Sequence, residues 1–147
     1  MTSSEIDPHQ LAADLRGALG NLVRHLRTEE SVLPQPQAGA LGWLVREGPH
    51  TTAELAQRQK VRHQSMARTV SQLLAAGLVT QRPHPTDGRK LVLHATETGT
   101  ATLHEQRTRR EARLAAAIAE QLSPEEQRTL AEALALVRRI TPPPAHL

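Results

Sequence analysis

The stretch Thr51–Leu93, TTAELAQRQKVRHQSMARTVSQLLAAGLVTQRPHPTDGRKLVL, decides how this chain folds. Thr51 is a good N-cap, and Glu54 three residues later completes the pattern of a capping box. A short helix is expected over 52–59, carrying Leu55 and Ala56 inward. Val61 begins a turn. A second helix, 63–76, places Met66, Val70, Leu73 and Leu74 on one side and Gln64, Ser65, Arg68, Ser71 and Gln72 on the other. Gly77 is a natural residue just past a helix end. Leu78–Arg82 and Arg89–His94 read as strands. The proline-marked run 83–88 between them is too long for a two-residue hairpin turn, so it is expected to project as a loop.

Charge is concentrated in the same stretch. From Leu55 to Thr96 there are seven Lys/Arg and one acid, Asp87, a net of +6. The whole chain is +3, so the remainder carries −3. Such an excess attracts a polyanion to one segment and not to the whole molecule.

Outward from this stretch the pattern is helical. Leu11, Leu15, Leu19, Leu22, Val23 and Leu26 step by three and four and predict a long helix over 9–30. Gly17 and Gly20 either weaken it or admit another helix closely. Leu33-Pro34-Gln35-Pro36-Gln37 is a break, and Pro36 suits the first turn of a helix that Gly48-Pro49 ends. Leu41, Leu44 and Val45 give its stripe, with Trp43 beside it. A long helix is expected over 97–121 and a last one over 124–140, started by Ser123-Pro124-Glu125-Glu126 and stopped by Pro142-Pro143-Pro144.

Composition narrows the chemistry. The 147 residues include no Cys, Phe or Tyr, and Trp43 is the only aromatic. The core must be aliphatic and Leu/Ala-rich, which favours helices. Disulfides, thiolate nucleophiles and thiolate metal sites are excluded. No apolar run approaches the roughly 20 residues of a membrane span, and the N-terminus lacks a signal-peptide pattern. A cytoplasmic location without membrane partners is expected. His104-Glu105 begins like H-E-x-x-H, but position 108 is Thr. Neither a nucleophile motif nor a phosphate-binding glycine loop is present. The expectation is a non-enzyme with no cofactor and no metal.

The 63–76 helix suits a different task. A major groove about 12 Å wide accepts one helix, and Gln and Arg make bidentate contacts to adenine and guanine. The helix offers a short polar face with one guanidinium. It is preceded by a capped helix and a tight turn and followed by a hairpin. The residues Thr52-Ala53-Glu54-Leu55-Ala56, Ser65 to Leu74 with Arg68, Gly77-Leu78-Val79, Asp87-Gly88-Arg89, and Leu91-Val92-Leu93-His94-Ala95-Thr96 with Gly99 resemble the MarR family (multiple antibiotic resistance regulators). The resemblance spans about Leu11 to Ile140 in element order and is most specific over 52–99. The wing of that family more often reads D-R-R, so Gly88 departs from it.

The resemblance implies a mainly α fold with a small β-hairpin wing: a winged helix-turn-helix over 34–96, with N- and C-terminal dimerisation helices over 1–33 and 97–147. It implies double-stranded DNA and a second copy of the chain as partners. The DNA-contacting set would be Arg62, His63, Gln64, Ser65, Arg68, Thr69, Gln72, Arg82, Asp87, Arg89 and Lys90. Arg89 would enter the minor groove, and Asp87 would aim it through an ion pair. The resemblance also implies a small-molecule effector between the dimer helices and the winged domain, where His25, Trp43 and Arg46, with Arg24, lie on the lining elements; plain core packing of Trp43 is the alternative. The expected function is a sequence-specific transcriptional regulator, a repressor on a near-palindromic operator. The alternative is a winged-helix module that binds protein.

Overall fold

The computed structural model describes residues 5–27 and 33–141. Over these it has helices α1 (Pro8–Arg27), α2 (Gln35–Glu47), α3 (Thr52–Gln59) and α4 (His63–Ala75), strands β1 (Val79–Pro83) and β2 (Leu91–Ala95), and helices α5 (Glu97–Gln121) and α6 (Pro124–Ile140). It is the expected mainly α architecture with one hairpin. The chain forms two compact units, Met1–Arg109 and Arg110–Leu147. Residues 28–30 of the first expected helix and the Pro142-Pro143-Pro144 stop lie outside the described residues.

The first unit is organised around an aliphatic core. Leu41 from α2, Leu55 from α3, Met66 and Leu73 from α4 and Leu93 from β2 are its largest fully buried side chains. Each contributes roughly 1.5–3 kcal/mol by leaving water. The helical ones lie on the inward stripes of α2, α3 and α4, and Leu93 closes the same core from the wing base.

Local chemistry sets the element ends. The Thr51 hydroxyl accepts the Glu54 N–H at 3.1 Å and starts α3. The expected reciprocal bond is absent: the Glu54 carboxylate takes the Thr51 hydroxyl proton at 3.2 Å, not the Thr51 amide. Three residues, Lys60-Val61-Arg62, make the turn to α4, with Lys60 in the left-handed region at φ 54°. That conformation costs a non-glycine residue on the order of 1 kcal/mol. The end of α4 follows the Gly77 expectation. Gly77 has φ 71° and its N–H reaches Leu74 O at 3.1 Å, while the Leu78 N–H reaches Leu73 O at 3.0 Å. This is a Schellman closure. It consumes Leu78, so β1 begins at Val79, one residue later than expected.

The strands pair antiparallel with Val79 opposite Ala95 and Pro83 opposite Leu91. Pro83 is tolerated because it ends the ladder, where no N–H is needed. Arg89 and Lys90, expected in the second strand, belong to the turn instead: the Lys90 N–H is committed to Asp87 O at 3.0 Å. One rung was not foreseen. His50, ahead of α3, exchanges both main-chain bonds with Leu93 at 3.3 and 2.8 Å, fastening the wing base to the α2–α3 connection.

Helix α5 leaves the wing at a close crossing. The Thr96 hydroxyl donates to Gly77 O at 2.8 Å and accepts the Gly99 N–H at 3.0 Å. Further along, buried Gln106 accepts the Leu33 N–H at 3.1 Å. In the second unit, α6 starts with a complete capping box between Ser123 and Glu126, as expected. The Ser123 main-chain N–H, which donates to the carboxylate at 3.0 Å, and after it the Ser123 side chain hold the Glu126 carboxyl below its ordinary range. Neither α1 nor α6 buries a residue: Leu11, Leu19, Leu22 and Val23 on α1, and Leu130, Leu134, Leu136 and Ile140 on α6, are exposed. Gly17 lies on the opposite side of α1 from the apolar stripe, and within this chain a Cβ there would meet nothing within 4 Å.

Candidate nucleic-acid interface

Helix α4 stands between two clefts. On one side a cleft of about 610 Å³ is bordered by His63, Ala67 and Ser71 of α4, by the start of α3, and by Gln81, Arg89 and Lys90 of the wing. On the other side a cleft of about 590 Å³ is bordered by Ser65, Arg68 and Gln72 of α4, with Trp43 of α2 and Gln59 at the end of α3. The helix is therefore a ridge with space along both flanks. A groove-entering helix needs that clearance, because the phosphate backbones pass on either side of it.

The expected contact residues divide on this ridge. Arg62, His63, Gln64, Ser65, Arg68 and Gln72 are exposed, as are Arg82, Arg89 and Lys90 on the wing. Thr69 is not among them. It is 7 % exposed, and its hydroxyl donates to Ser65 O at 3.1 Å, one turn back in its own helix. Thr69 lies at the edge of the inward stripe, low in the 590 Å³ cleft and set back from the exposed crest of α4. Gln72 is exposed but occupied: its Oε1 accepts from Gln37 Nε2 at 3.0 Å. A bidentate contact to adenine uses both the oxygen and the amide group, so the Gln37 bond takes one of the two lone pairs on the oxygen that would meet the base.

The wing tip also departs from expectation. No ion pair joins the Asp87 carboxylate to the Arg89 guanidinium. The carboxylate accepts the Arg89 main-chain N–H at 3.1 Å instead. On so tight a turn a backbone amide comes within reach first, and it carries no long side chain whose freedom would be lost. Asp87 thus fixes the backbone from which Arg89 projects, and the guanidinium itself stays in solvent.

Three residues outside the expected set shape the site. Gln37 holds Gln72. His50 ties the wing base down and also makes a 2.8 Å contact from Nδ1 to Gly48 O. His84 gathers the wing-tip amides: its Nδ1 lies 3.2 Å from both Thr86 N and Asp87 N. His84 stands between Pro83 and Pro85, and that Pro-His-Pro run was the signal available in the sequence.

The residues expected to hold a ligand are only partly brought together. Trp43 is half-buried against the core, with the guanidinium carbons of Arg46 and Arg58 5.6 and 5.5 Å from its ring centroid. Trp43 therefore packs against the core and also borders the 590 Å³ cleft, whereas neither His25 nor Arg46 lines that cleft. Among the described residues no three His, Asp or Glu side chains are arranged to hold a metal ion. No helix among them is long and apolar enough to cross a membrane.

The chain is similar to known proteins over these elements. A MarR family model matches residues 33–90, which run from the start of α2 to the wing tip. The HTH-type transcriptional regulator Mb0904 of Mycobacterium bovis is 37% identical over 112 residues, covering 75% of this chain and 78% of that protein. An HTH-type regulator of Mycobacterium leprae is 38% identical over 92 residues, and the match spans 64% of its length. Among solved structures, RV1404 from Mycobacterium tuberculosis superposes with a TM-score of 0.73 at 26% identity, over 97% of this chain and all of that one. Wild-type MarR from E. coli shares the fold, with a TM-score of 0.68 at 20% identity over 92% of this chain and 98% of that one. With a capped helix, a three-residue turn, an exposed second helix and a hairpin wing matching that family model and the Mycobacterium bovis relative, the chain belongs to the MarR family of winged helix-turn-helix transcriptional regulators.

Proposed function

We propose that the protein is a homodimeric repressor that binds a near-palindromic operator and is released from it by a small molecule. Residues 34–96 read DNA in this proposal, and 1–33 with 97–147 form the dimer. The observation that carries the DNA half is the α4 ridge, with exposed Arg68, Gln64 and Ser65 at its crest and the Arg89–Lys90 wing beside it. Bidentate arginine contacts select guanine; phosphate contacts from Arg62, Arg82 and Lys90 fix the register.

The dimer half is supported by the exposed leucines of α1 and α6. Two amphipathic helices with no buried residue leave apolar stripes in water, and pairing with a second copy would remove them. Two recognition helices would then meet DNA about one turn, 34–36 Å, apart. Ligand release is supported by the 590 Å³ cleft, a volume suited to a small organic molecule and bordered by both Trp43 and the base-reading Arg68. An occupant there competes with DNA for the same guanidinium. A cytoplasmic location fits this function.

Salt dependence tests the reading. A dimer touching about eight phosphates gives a log–log slope of affinity against salt near −7, and sedimentation at micromolar concentration gives a dimer. A flat salt response would instead support a module that packs against protein, and a folded monomer would remove the two-fold site.

A further inference from the structure

We propose that His84 is a positioning residue that latches the wing tip through the lone pair on Nδ1, so that protonating this one ring loosens the wing on DNA. The proposal rests on the wing being a DNA-contacting arm.

The latch is built from the main chain. Thr86 N–H and Asp87 N–H both point at His84 Nδ1 across 3.2 Å, and the Thr86 hydroxyl is 3.1 Å from the same atom. An amide N–H can only donate, so Nδ1 carries the lone pair and the ring proton is on Nε2. From Asp87 the order passes on: its carboxylate accepts the Arg89 N–H at 3.1 Å and its carbonyl accepts the Lys90 N–H at 3.0 Å. Lys90 O closes the circuit by accepting the His84 N–H at 2.9 Å. His84 is the only residue in this loop that holds both ends, its ring on residues 86–87 and its amide on residue 90. Pro83 and Pro85 on either side have no N–H and a fixed φ, so they pre-set His84 and offer no substitute donor.

Imidazole is the side chain that changes charge between pH 5 and 8. A protonated Nδ1 is a donor facing two donors. Both amide bonds are lost, and Asp87 is freed from the ring that holds its backbone. The charged groups around the ring are Asp87, Arg82, Arg89 and Lys90 on the hairpin. Glu54 of α3 borders the cleft of about 420 Å³ that His84 shares with Arg82, His50 and His94. Glu54 and Asp87 attract the imidazolium and the three cations oppose it. Neither carboxylate is the acceptor of the Thr86 or Asp87 N–H here; both amides are held by His84 Nδ1.

The effect on DNA has two parts of opposite sign. The added charge strengthens attraction to any phosphate, and the lost latch weakens contacts that need Arg89 in one direction. A nonspecific duplex feels the first and a specific site feels both, so the latch is read as a loss of specificity at low pH.

The test compares the full-length wild type with His84→Asn, whose side-chain oxygen accepts but does not titrate, and His84→Ala, which cannot accept. Ring 15N spectra at pH 8 are expected to show the Nε2–H tautomer for His84. Protection of the Thr86 and Asp87 amides, corrected for intrinsic exchange, is expected to fall about tenfold in the wild type between pH 8 and pH 5.5, the scale of one net hydrogen bond. It should persist in His84→Asn and be low at both pH values in His84→Ala. With a duplex selected from a random pool, wild type and His84→Asn should bind alike at pH 8, and the wild type should lose about tenfold in specific-over-nonspecific affinity at pH 5.5 relative to His84→Asn, a loss of the same order. An Nδ1–H tautomer at pH 8, or a wild-type to His84→Asn ratio that does not change with pH, overturns the latch. Intact tautomer and exchange results with no duplex bound by any of the three proteins overturn the DNA reading instead.

Discussion

Replacing Gly99 with alanine tests whether the joint between the wing and α5 is as tight as the geometry requires. A Cβ added at Gly99 lies 2.1 Å from Leu78 O, 3.0 Å from Leu78 C and 3.2 Å from Leu41 Cδ1. A carbon rests no closer than about 3.3 Å to a carbonyl oxygen, so α5 and the Leu78 backbone must separate by about 1 Å. Leu78 cannot yield freely. Its N–H closes the end of α4 on Leu73 O, and its carbonyl accepts the Thr96 N–H at 3.0 Å. Separation breaks that last bond and the Thr96 hydroxyl bond to Gly77 O, each worth about 1 kcal/mol net. Overpacking adds about 1–3 kcal/mol. The methyl group returns at most about 1 kcal/mol of helix propensity. The expected net loss is about 2–4 kcal/mol, read as a lower urea midpoint at unchanged slope. Gly99→Ala within about 0.5 kcal/mol of the wild type, the range of ordinary surface changes, would refute the reasoning.

Other substitutions probe other joints. Gly17→Ala, on the open side of α1, should stabilise by about 0.5–1 kcal/mol in the same urea titration; a loss would contradict the orientation of α1. Asp87→Ala should weaken binding to a selected duplex by about 1 kcal/mol although it removes a negative charge, whereas Asp87→Asn keeps the acceptor for Arg89 N–H and binds nearly normally; tighter binding by Asp87→Ala would remove the positioning role. Thr69→Val should leave DNA affinity unchanged, since Thr69 is buried and bonds its own helix; a clear loss in a binding titration would return Thr69 to the interface. Glu126 is held below its ordinary range by Ser123, so its stabilisation is complete above the unfolded carboxylate value and is lost as pH falls through the lowered folded value. Urea midpoints against pH should therefore show a shallower acid limb for Glu126→Gln, and an unchanged limb would show the cap to be silent.

What could be read from the sequence was what local chemistry writes. Thr51 and Ser123 announce helix starts because a short side-chain oxygen three residues ahead of an N–H has few other uses there. Gly77 announces a helix end because few residues accept its φ. The α4 stripe is legible through its period, yet Thr69 entered the expected contact set through the family resemblance and not through that period. Its position, three residues from buried Met66 and from exposed Gln72 alike, puts it at the boundary of the two faces, and the structure buries it. The rest depends on residues far apart in the chain. Gln37 meets Gln72 across 35 positions, and His50 meets Leu93 across the wing base; no pattern within a window of sequence encodes either meeting. The Asp87–Arg89 pairing was foreseen as an ion pair and formed as a carboxylate–amide bond, because a turn brings amides together before long side chains.

The central claim is that α4 reads bases from the major groove as one of a two-fold pair. Selection of bound duplexes from a random pool by the purified protein, run beside Arg68→Ala, tests it most directly. The selected duplexes should share an inverted repeat with half-site centres 10–10.5 base pairs apart. Arg68→Ala should bind about 1–3 kcal/mol more weakly and lose preference at one base pair per half-site. A pool without enrichment, or an Arg68→Ala profile identical to the wild type, would contradict it.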